Sequence, residues 1–468
     1  MIKNKSKSVN TQFIYNFLGT IVGSGISFLT MPIFTRLLGA TQYGSFSVYS
    51  SWVSIFTCFM GLSVYSSIAT GRLKFNSDYH SFRSSVLAEG TILSILLFGL
   101  GMLLYGIIRK INNLPFIMYA LLLSEAFAAF VYSYVTTCWI HEKEARKHFY
   151  VGLVKVVLTT ALSLVLLLNW KNEWGELYYG RAYGMAIPQV LIAVVLWIYI
   201  FKAKPVVFVK EYWAYGIGFG LPMIFHTLSQ QVLTQSDRIM MENIGTLGSE
   251  IGIYSFFYSF TSVLLILRTA LNNAWAPFYY EDLNQKQYEK LNKKIFNFCQ
   301  IFVVLCCGFL MLSREVVKLF ANDEYWIGMP ILPVFVVMIY SIFIYQFYVN
   351  FEFYNAQPKI IAFGTCITAL ANIGLNALFI PRFGMYGAAI ASLLSYVLLA
   401  IAHIVIVHFW KLQKYPLTSR PVFGGLFVVL VFCGFYYILK DLWIIRWLLG
   451  MIIGLYLVYN IYKRRTIF

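Results

Sequence analysis

SSVLAEGTILSILLFGLGMLLYGII, residues 84–108, runs for twenty-five residues with a single charged side chain, Glu89. A helix needs about 20 apolar residues to cross a hydrocarbon core about 30 Å thick, so this stretch predicts a membrane-spanning helix. Thirteen more stretches of the same kind fill the chain, near residues 11–35, 43–70, 114–140, 148–168, 177–201, 212–241, 250–278, 295–320, 327–354, 359–380, 384–409, 421–439 and 442–462. Hydrophobic residues make up 60% of the 468, and the mean hydropathy is +0.71. That composition excludes a soluble domain and predicts an all-α integral membrane protein of about fourteen transmembrane helices.

The connecting segments carry the chain's charge of +17 unevenly. With the N-terminus in the cytoplasm, the inside segments collect twenty-three Lys and Arg, among them Lys3, Lys5, Lys7, Arg72, Lys74, Lys143, Lys286, Lys359, Lys411, Lys414, Arg464 and Arg465. The outside loops hold six: Arg36, Arg109, Lys110, Lys171, Arg382 and Lys440. The positive-inside rule then places both termini in the cytoplasm. Cations scattered through short loops do not form the basic surface with interleaved aromatics that nucleic acid requires, so no nucleic-acid partner is expected. The basic N-terminus, MIKNKSKSVN, runs into a first span longer than the core of a cleavable signal peptide and reads as helix one. All seven cysteines fall inside predicted spans without CxxC spacing, which suits small core residues better than disulfides or metal ligands.

No loop is long enough for an extramembrane domain. The longest inside connection, EDLNQKQYEKLNKK over residues 281–294, is either a helix laying Leu283 and Leu291 on the membrane surface or a solvated linker. A faint repeat aligns YGSFSVYSS (43–51) with IGIYSFFYS (251–259), matching Gly44, Ser47 and Ser51 with Gly252, Ser255 and Ser259. Each block opens the second helix of a six-helix set. The expected organisation is therefore a six-helix lobe over 1–210, a second over 211–410, and two additional helices over 411–468, with cargo between repeats as in many transporters.

Function should lie with the charged residues kept inside the spans, because each costs about 2.5–3.5 kcal/mol at mid-membrane on insertion scales. They are Glu89, Glu125, Lys155, Arg181, Asp237, Arg238, Glu242, Arg268, Arg314, Glu315, Lys318, Glu352 and Arg446, with His226 and His403 beside them. Arg181, Glu242, Lys318 and Arg446 lie near predicted membrane surfaces and are expected to snorkel. Arg268, in LLILRTALNNAWAPF, lies too deep for that. Arg36 and Arg238 sit near the outer ends of the first helices of the two lobes, and a guanidinium fork matches phosphate oxygens. Arg238 alternatively pairs with Asp237 or caps a helix end. Glu125, Asp237 and His226 are candidate ion-coupling groups; Glu125 alternatively forms a salt bridge to Lys155 or Arg268, and His226 a hydrogen bond in the core.

Enzymatic constellations are missing. HEKEA at His141 has Ala145 where a zinc HExxH helix needs its second His, and there is no Walker motif, GxSxG elbow or GxGxxG turn. The reading is of a protein that is not an enzyme and needs no cofactor or metal.

MPIFTRLLGATQYGSFSVYSSW (31–52) resembles the N-terminal signature of the bacterial polysaccharide flippases, the Wzx-type O-antigen and capsule repeat-unit transporters of the multidrug/oligosaccharidyl-lipid/polysaccharide exporter superfamily. GLPMIFHTLSQQVLTQSDRIMMENIG (220–245), IGIYSFFYSF (from Ile251), NAWAPFYYE (from Asn273) and NALFIPRFGMYGAAIAS (from Asn376) are similar to that family as well, covering about the first 410 residues. The resemblance implies a MATE-like fold of two six-helix lobes plus two further helices. It also implies alternating-access transport of an undecaprenyl-pyrophosphate-linked oligosaccharide across the cytoplasmic membrane, for O-antigen, lipopolysaccharide or capsule synthesis. Arg36, Arg238 and Arg268, with Lys155 and Arg314 behind them, would then hold the pyrophosphate, and aromatic stretches such as YSFFYSF would stack on sugars. Membrane lipids, a polymerase and a chain-length regulator of the same pathway are the expected partners. Two rival readings stay open: a cation-coupled drug or lipid II exporter of the same fold, and a membrane polysaccharide polymerase or glycosyltransferase, which would need a larger outside loop.

Overall fold

The computed structural model describes residues 2–355, 358–409, 415 and 417–464. Lys411, Lys414 and Arg465 lie outside the described residues, as do the side chains of Lys3, Lys5, Lys7, Lys359 and Arg464. Among the described residues every regular element is helical: α1 (Ile2–Phe59), α2 (Ile68–Lys74), α3 (Tyr79–Leu103), α4 (Tyr105–Asn112), α5 (Phe116–Glu142), α6 (Ala145–Leu168), α7 (Leu177–Ala203), α8 (Lys210–Ile244), α9 (Gly248–Asn284), α10 (Tyr288–Phe320), α11 (Leu332–Tyr354), α12 (Pro358–Phe409), α13 (Arg420–Ile438) and α14 (Trp443–Arg464).

Eleven helical stretches among the described residues are long and apolar enough to cross a membrane. Two of them, in α1 and α12, each hold two of the spans expected from sequence, meeting at Gly39 (φ 66°) and Gly384 (φ 52°). Only glycine takes such φ values without a Cβ penalty. α8 is 35 residues long but less apolar than these, with Gln230, Gln231, Gln235, Asp237, Arg238 and Glu242 crowding its second half.

The span expected over 43–70 is not one continuous helix. It breaks into a 3-10 segment, Met60–Ser67, in which Gly61, Leu62 and Ser63 all have positive φ. For Leu62 and Ser63 that conformation is strained. Gly220 of α8 lies so close to Leu62 and Val64 that a Cβ there would strike the Leu62 carbonyl oxygen. The span expected over 84–108 also divides, at Leu104, between α3 and α4.

The chain forms two compact units, residues 1–252 and 253–468. The first has a core of Tyr49, Val64, Phe82, Met118, Tyr119, Phe130 and Tyr134. Within it the start of α9 crosses α1 backbone to backbone: a Cβ on Gly252 would overlap the Ala40 carbonyl oxygen, and one on Gly44 would overlap that of Gly248. The two glycines matched by the faint repeat thus meet in one crossing.

The second unit is built on aromatic layers, with Phe302 of α10 stacked on Tyr340 and Phe343 of α11, and Phe347 edge-on to Phe343. Residues 281–294 are neither a surface helix nor a free linker. α9 continues to Asn284, a tight turn with Lys286 at φ 54° reverses the chain, and α10 starts at Tyr288. Leu283 and Leu291 are buried, 3% and 0% exposed, in place of lying on the membrane surface. The turn is stapled by Asp282, 3.1 Å from Lys290 Nζ and 2.5 Å from Lys294 Nζ. Burial pushes the Asp282 carboxyl up, but the hydrogen bonds from Lys294 and Lys290 outweigh it and hold it below the ordinary aspartate range.

Candidate functional site

The first unit carries two polar clusters. On α8, Arg238 is nearly buried and donates from Nη1 to the Thr234 carbonyl (2.9 Å) and to Gln235 Oε1 (3.3 Å). Gln235 Oε1 also accepts from Ser51 Oγ of α1 (3.0 Å), so the guanidinium is steered by its own helix and by α1. Asp237 next to it is fully buried. Arg36 is exposed on α1, three residues before the bend at Gly39. His226, four residues after Pro222, is half-buried, and its Nδ1 has no hydrogen-bond partner among the described residues.

The second cluster surrounds Glu125 on α5. Its carboxylate accepts from the Tyr49 hydroxyl of α1 (2.9 Å), and its backbone carbonyl accepts from the Gln189 amide of α7 (3.4 Å). Lys155 on α6 and Arg181 on α7 lie within electrostatic reach of it. Lys155 Nζ stands 4.1 Å from the Tyr132 ring centre, and the Arg181 guanidinium 3.5 Å from that of Phe34. Of the alternatives read from sequence, the salt bridge to Lys155 or Arg268 is not formed among the described residues; the Glu125 side chain bonds the Tyr49 hydroxyl instead. Two cations facing one acid leave a local surplus of positive charge, the condition for holding an anion.

In the second unit, Arg268 is the centre of a network. LRTALNN places Arg268 and Asn272 four apart on one face of α9, and FIYQFYVN places Gln346 and Asn350 likewise on α11, the spacing at which helical side chains are neighbours. Arg268 Nη1 donates to Gln346 Oε1, Gln346 Nε2 donates to Asn272 Oδ1 (2.6 Å), and Asn350 Nδ2 donates to the same oxygen (3.1 Å). Arg268 Nη2 reaches Thr269 Oγ1 at 3.4 Å, while its Nε has no partner among the described residues. A guanidinium fixed by neutral amides, with no carboxylate among those bonds, keeps its charge for an incoming anion.

Two residues expected to snorkel do not. Arg446 is 1% exposed and bonds Glu315 of α10, which also accepts from Trp447 Nε1 (3.2 Å). Arg181 turns inward on Phe34, with Nη1 buried and unbonded among the described residues. In both, an available internal partner competes successfully with the membrane surface. Glu242 is half-buried with one carboxylate oxygen shielded. Lys318 is exposed, beside the Trp326 ring, and Arg314 lies 5.4 Å from the Tyr436 ring centre. Sequence reading missed Gln346, Asn272 and Asn350; the i, i+4 spacing of the amides was the signal that would have found them.

Spanning helices, bent or broken at defined glycines, with fixed cations buried among them, define the class: a polytopic membrane transporter. Comparison with known proteins narrows it. Residues 10–281 match the model of the polysaccharide biosynthesis protein family. That is more than half of the chain, and the chain belongs to that family, as the resemblance at residues 31–52 and 220–245 implied. It is 24% identical over 387 residues to an uncharacterized membrane protein of Haemophilus influenzae, covering 79% of this chain and 92% of that one. Among solved structures it is similar to the lipid II flippase MurJ in an inward closed conformation (TM-score 0.66, 14% identity, 94% of this chain and 99% of that one). It is also similar to an inward-facing multidrug resistance MATE family transporter of the MOP superfamily (TM-score 0.57, 13% identity, 90% and 95% covered). At these identities the likeness fixes the MATE-like fold.

Proposed function

We propose that the chain is a flippase carrying an undecaprenyl-pyrophosphate-linked oligosaccharide repeat unit from the inner to the outer leaflet of the bacterial cytoplasmic membrane by alternating access. The product would feed O-antigen, lipopolysaccharide, capsule or exopolysaccharide synthesis. Arg36, Arg238 and Arg268 take the pyrophosphate; Glu125, Asp237 and His226 are the candidate ion-coupling groups. Both termini are cytoplasmic on the distribution of Lys and Arg. A polymerase and a chain-length regulator act on the delivered unit.

The observation that carries this reading is the Arg268 network inside the second unit, in a chain of the polysaccharide biosynthesis family. A diphosphate and its sugars cannot shed water into hydrocarbon without replacement bonds. The network offers both kinds needed: a charge-bearing fork for phosphate oxygens and amides for sugar hydroxyls. The fold is common to a lipid II flippase and a multidrug transporter, so fold does not choose the cargo; family and network chemistry support the glycan-linked diphosphate.

The test is deletion of the gene, followed by assay of surface polysaccharide and of lipid-linked repeat units accessible from each membrane face. The expected result is loss of polymer with single units retained on the cytoplasmic leaflet. Units accumulating on the outer face would instead make the chain a polymerase. Unchanged polysaccharide with new drug sensitivity would move it to the drug exporters.

A further inference from the structure

The second unit buries a titratable pair that cargo binding does not use. Glu352 of α11 faces His403 of α12, with Nδ1 2.8 Å from each carboxylate oxygen, and both side chains are 0% exposed. The other ring nitrogen, Nε2, is buried without a hydrogen-bond partner among the described residues. It lies against Gly364, where a Cβ would sit 2.8 Å away. Tyr345 packs edge-on to the imidazole at 4.9 Å between ring centres. It is within electrostatic reach of Glu352 on one side and of Arg268 on the other, and it stands next to Thr365. Its neighbour in sequence, Gln346, is the residue that accepts from Arg268.

Burying an acid and a base together costs desolvation that an apolar pair of the same volume would avoid. A helix contact alone does not call for it. The pair with one proton is neutral overall, as Glu⁻/HisH⁺ or GluH/His; one further proton gives it a single positive charge. The titratable group shown against the pair is Tyr345 on α11; beyond it, Arg268 on α9 is within reach of Tyr345 and of Tyr396 on α12. Further along the same helices are Tyr348 and His408, with Tyr415 between them.

We propose that the Glu352–His403 dyad is a proton-binding site linked through Tyr345 to the anion held at Arg268, so that cargo binding draws a proton into the dyad. The link rests on the reading of Arg268 as an anion site. An anion at Arg268 offsets the added positive charge, and by reciprocity a protonated dyad tightens the anion. The proton comes from and returns to water; no bond other than N–H or O–H changes.

The probe is farnesyl-diphosphate-linked N-acetylglucosamine, a diester whose two charges stay fixed between about pH 5 and pH 8. It is titrated calorimetrically into the full chain in lipid nanodiscs, in buffers of different ionisation enthalpy. The wild type should take up protons on binding and hold the probe about tenfold tighter at the lower pH, within the usual range of coupling. The double variant Glu352→Gln/His403→Gln, which leaves neither group of the pair to take a proton, should bind with no proton uptake and a flat pH profile. Binding heats independent of buffer in the wild type, or proton uptake surviving in the double variant, would overturn the proposal. Failure of the wild type to bind the probe would count against Arg268 as the anion site. The dyad is then decided by ¹⁵N NMR of the histidine rings: a His403 ring that changes protonation over the same pH range supports the proton site, and a ring fixed in one state removes it.

Discussion

Arg268 is held without being neutralised. Its hydrogen bonds among the described residues run to a glutamine and a threonine, and the glutamine is braced by Asn272, which Asn350 bonds in turn. A hydrogen bond to a charged group is worth about 1.5–3 kcal/mol, or roughly 10–100-fold in affinity. Arg268→Ala should therefore lower affinity for a lipid-linked diphosphate about 10–100-fold while leaving expression and membrane insertion intact, and Arg268→Lys, a point charge without the fork, should recover only part of it. Normal surface polysaccharide in a strain stably expressing Arg268→Ala would remove Arg268 from the site. Arg268 was legible in sequence because one charge in an apolar run stands out. Its partners were not: Gln346 and Asn350 are neutral amides in IFIYQFYVNFEFYN, which reads as an aromatic packing face. Arg181 and Arg446 were misread for a related reason. Snorkelling is judged from depth along one helix, whereas Phe34 and Glu315 come from other helices, and depth says nothing of them.

At the level of elements, glycine decides where helices bend and where they touch. Gly39 and Gly384 follow Arg36 and Arg382 by a few residues and precede Tyr43-Gly44 and Tyr386-Gly387, so the two bends share a local pattern, Arg then Gly then Tyr-Gly. The α1–α9 crossing depends on Gly44 and Gly252, each lacking room for even one methyl group. Overpacking of this kind typically costs about 1–3 kcal/mol, and here the obstacle is backbone that cannot rotate away. Gly252→Ala should lower the thermal midpoint of the detergent-solubilised protein and reduce activity, whereas Gly99→Ala, at a glycine with open space around it, should change neither. Equal midpoints for the two variants would contradict the crossing. The spans themselves were legible from apolar length. The break at Met60–Ser67 was not, because FMGLSVYSS carries no proline and only one glycine; the strained turn is imposed by packing against Gly220 of α8.

For the molecule as a whole, composition and the alternation of loop charge were enough to predict a polytopic helical protein, because a bilayer admits few alternatives for a chain so apolar. The MATE-like fold followed from motifs whose order resembles one family, and the similarity to MurJ and to a MATE transporter agrees. Cargo is a harder inference, since one fold serves many substrates. It rests on cations fixed by neutral partners in the spans and on membership of the polysaccharide biosynthesis family. The most direct measurement is reconstitution of the purified chain into liposomes carrying a labelled undecaprenyl-pyrophosphate-linked repeat unit, with a membrane-impermeant enzyme reporting the fraction exposed outside. Exposure should rise from the one leaflet's share toward completeness with the wild type and stay near that share with Arg268→Ala. Equal exposure in liposomes with and without the protein would contradict the flippase.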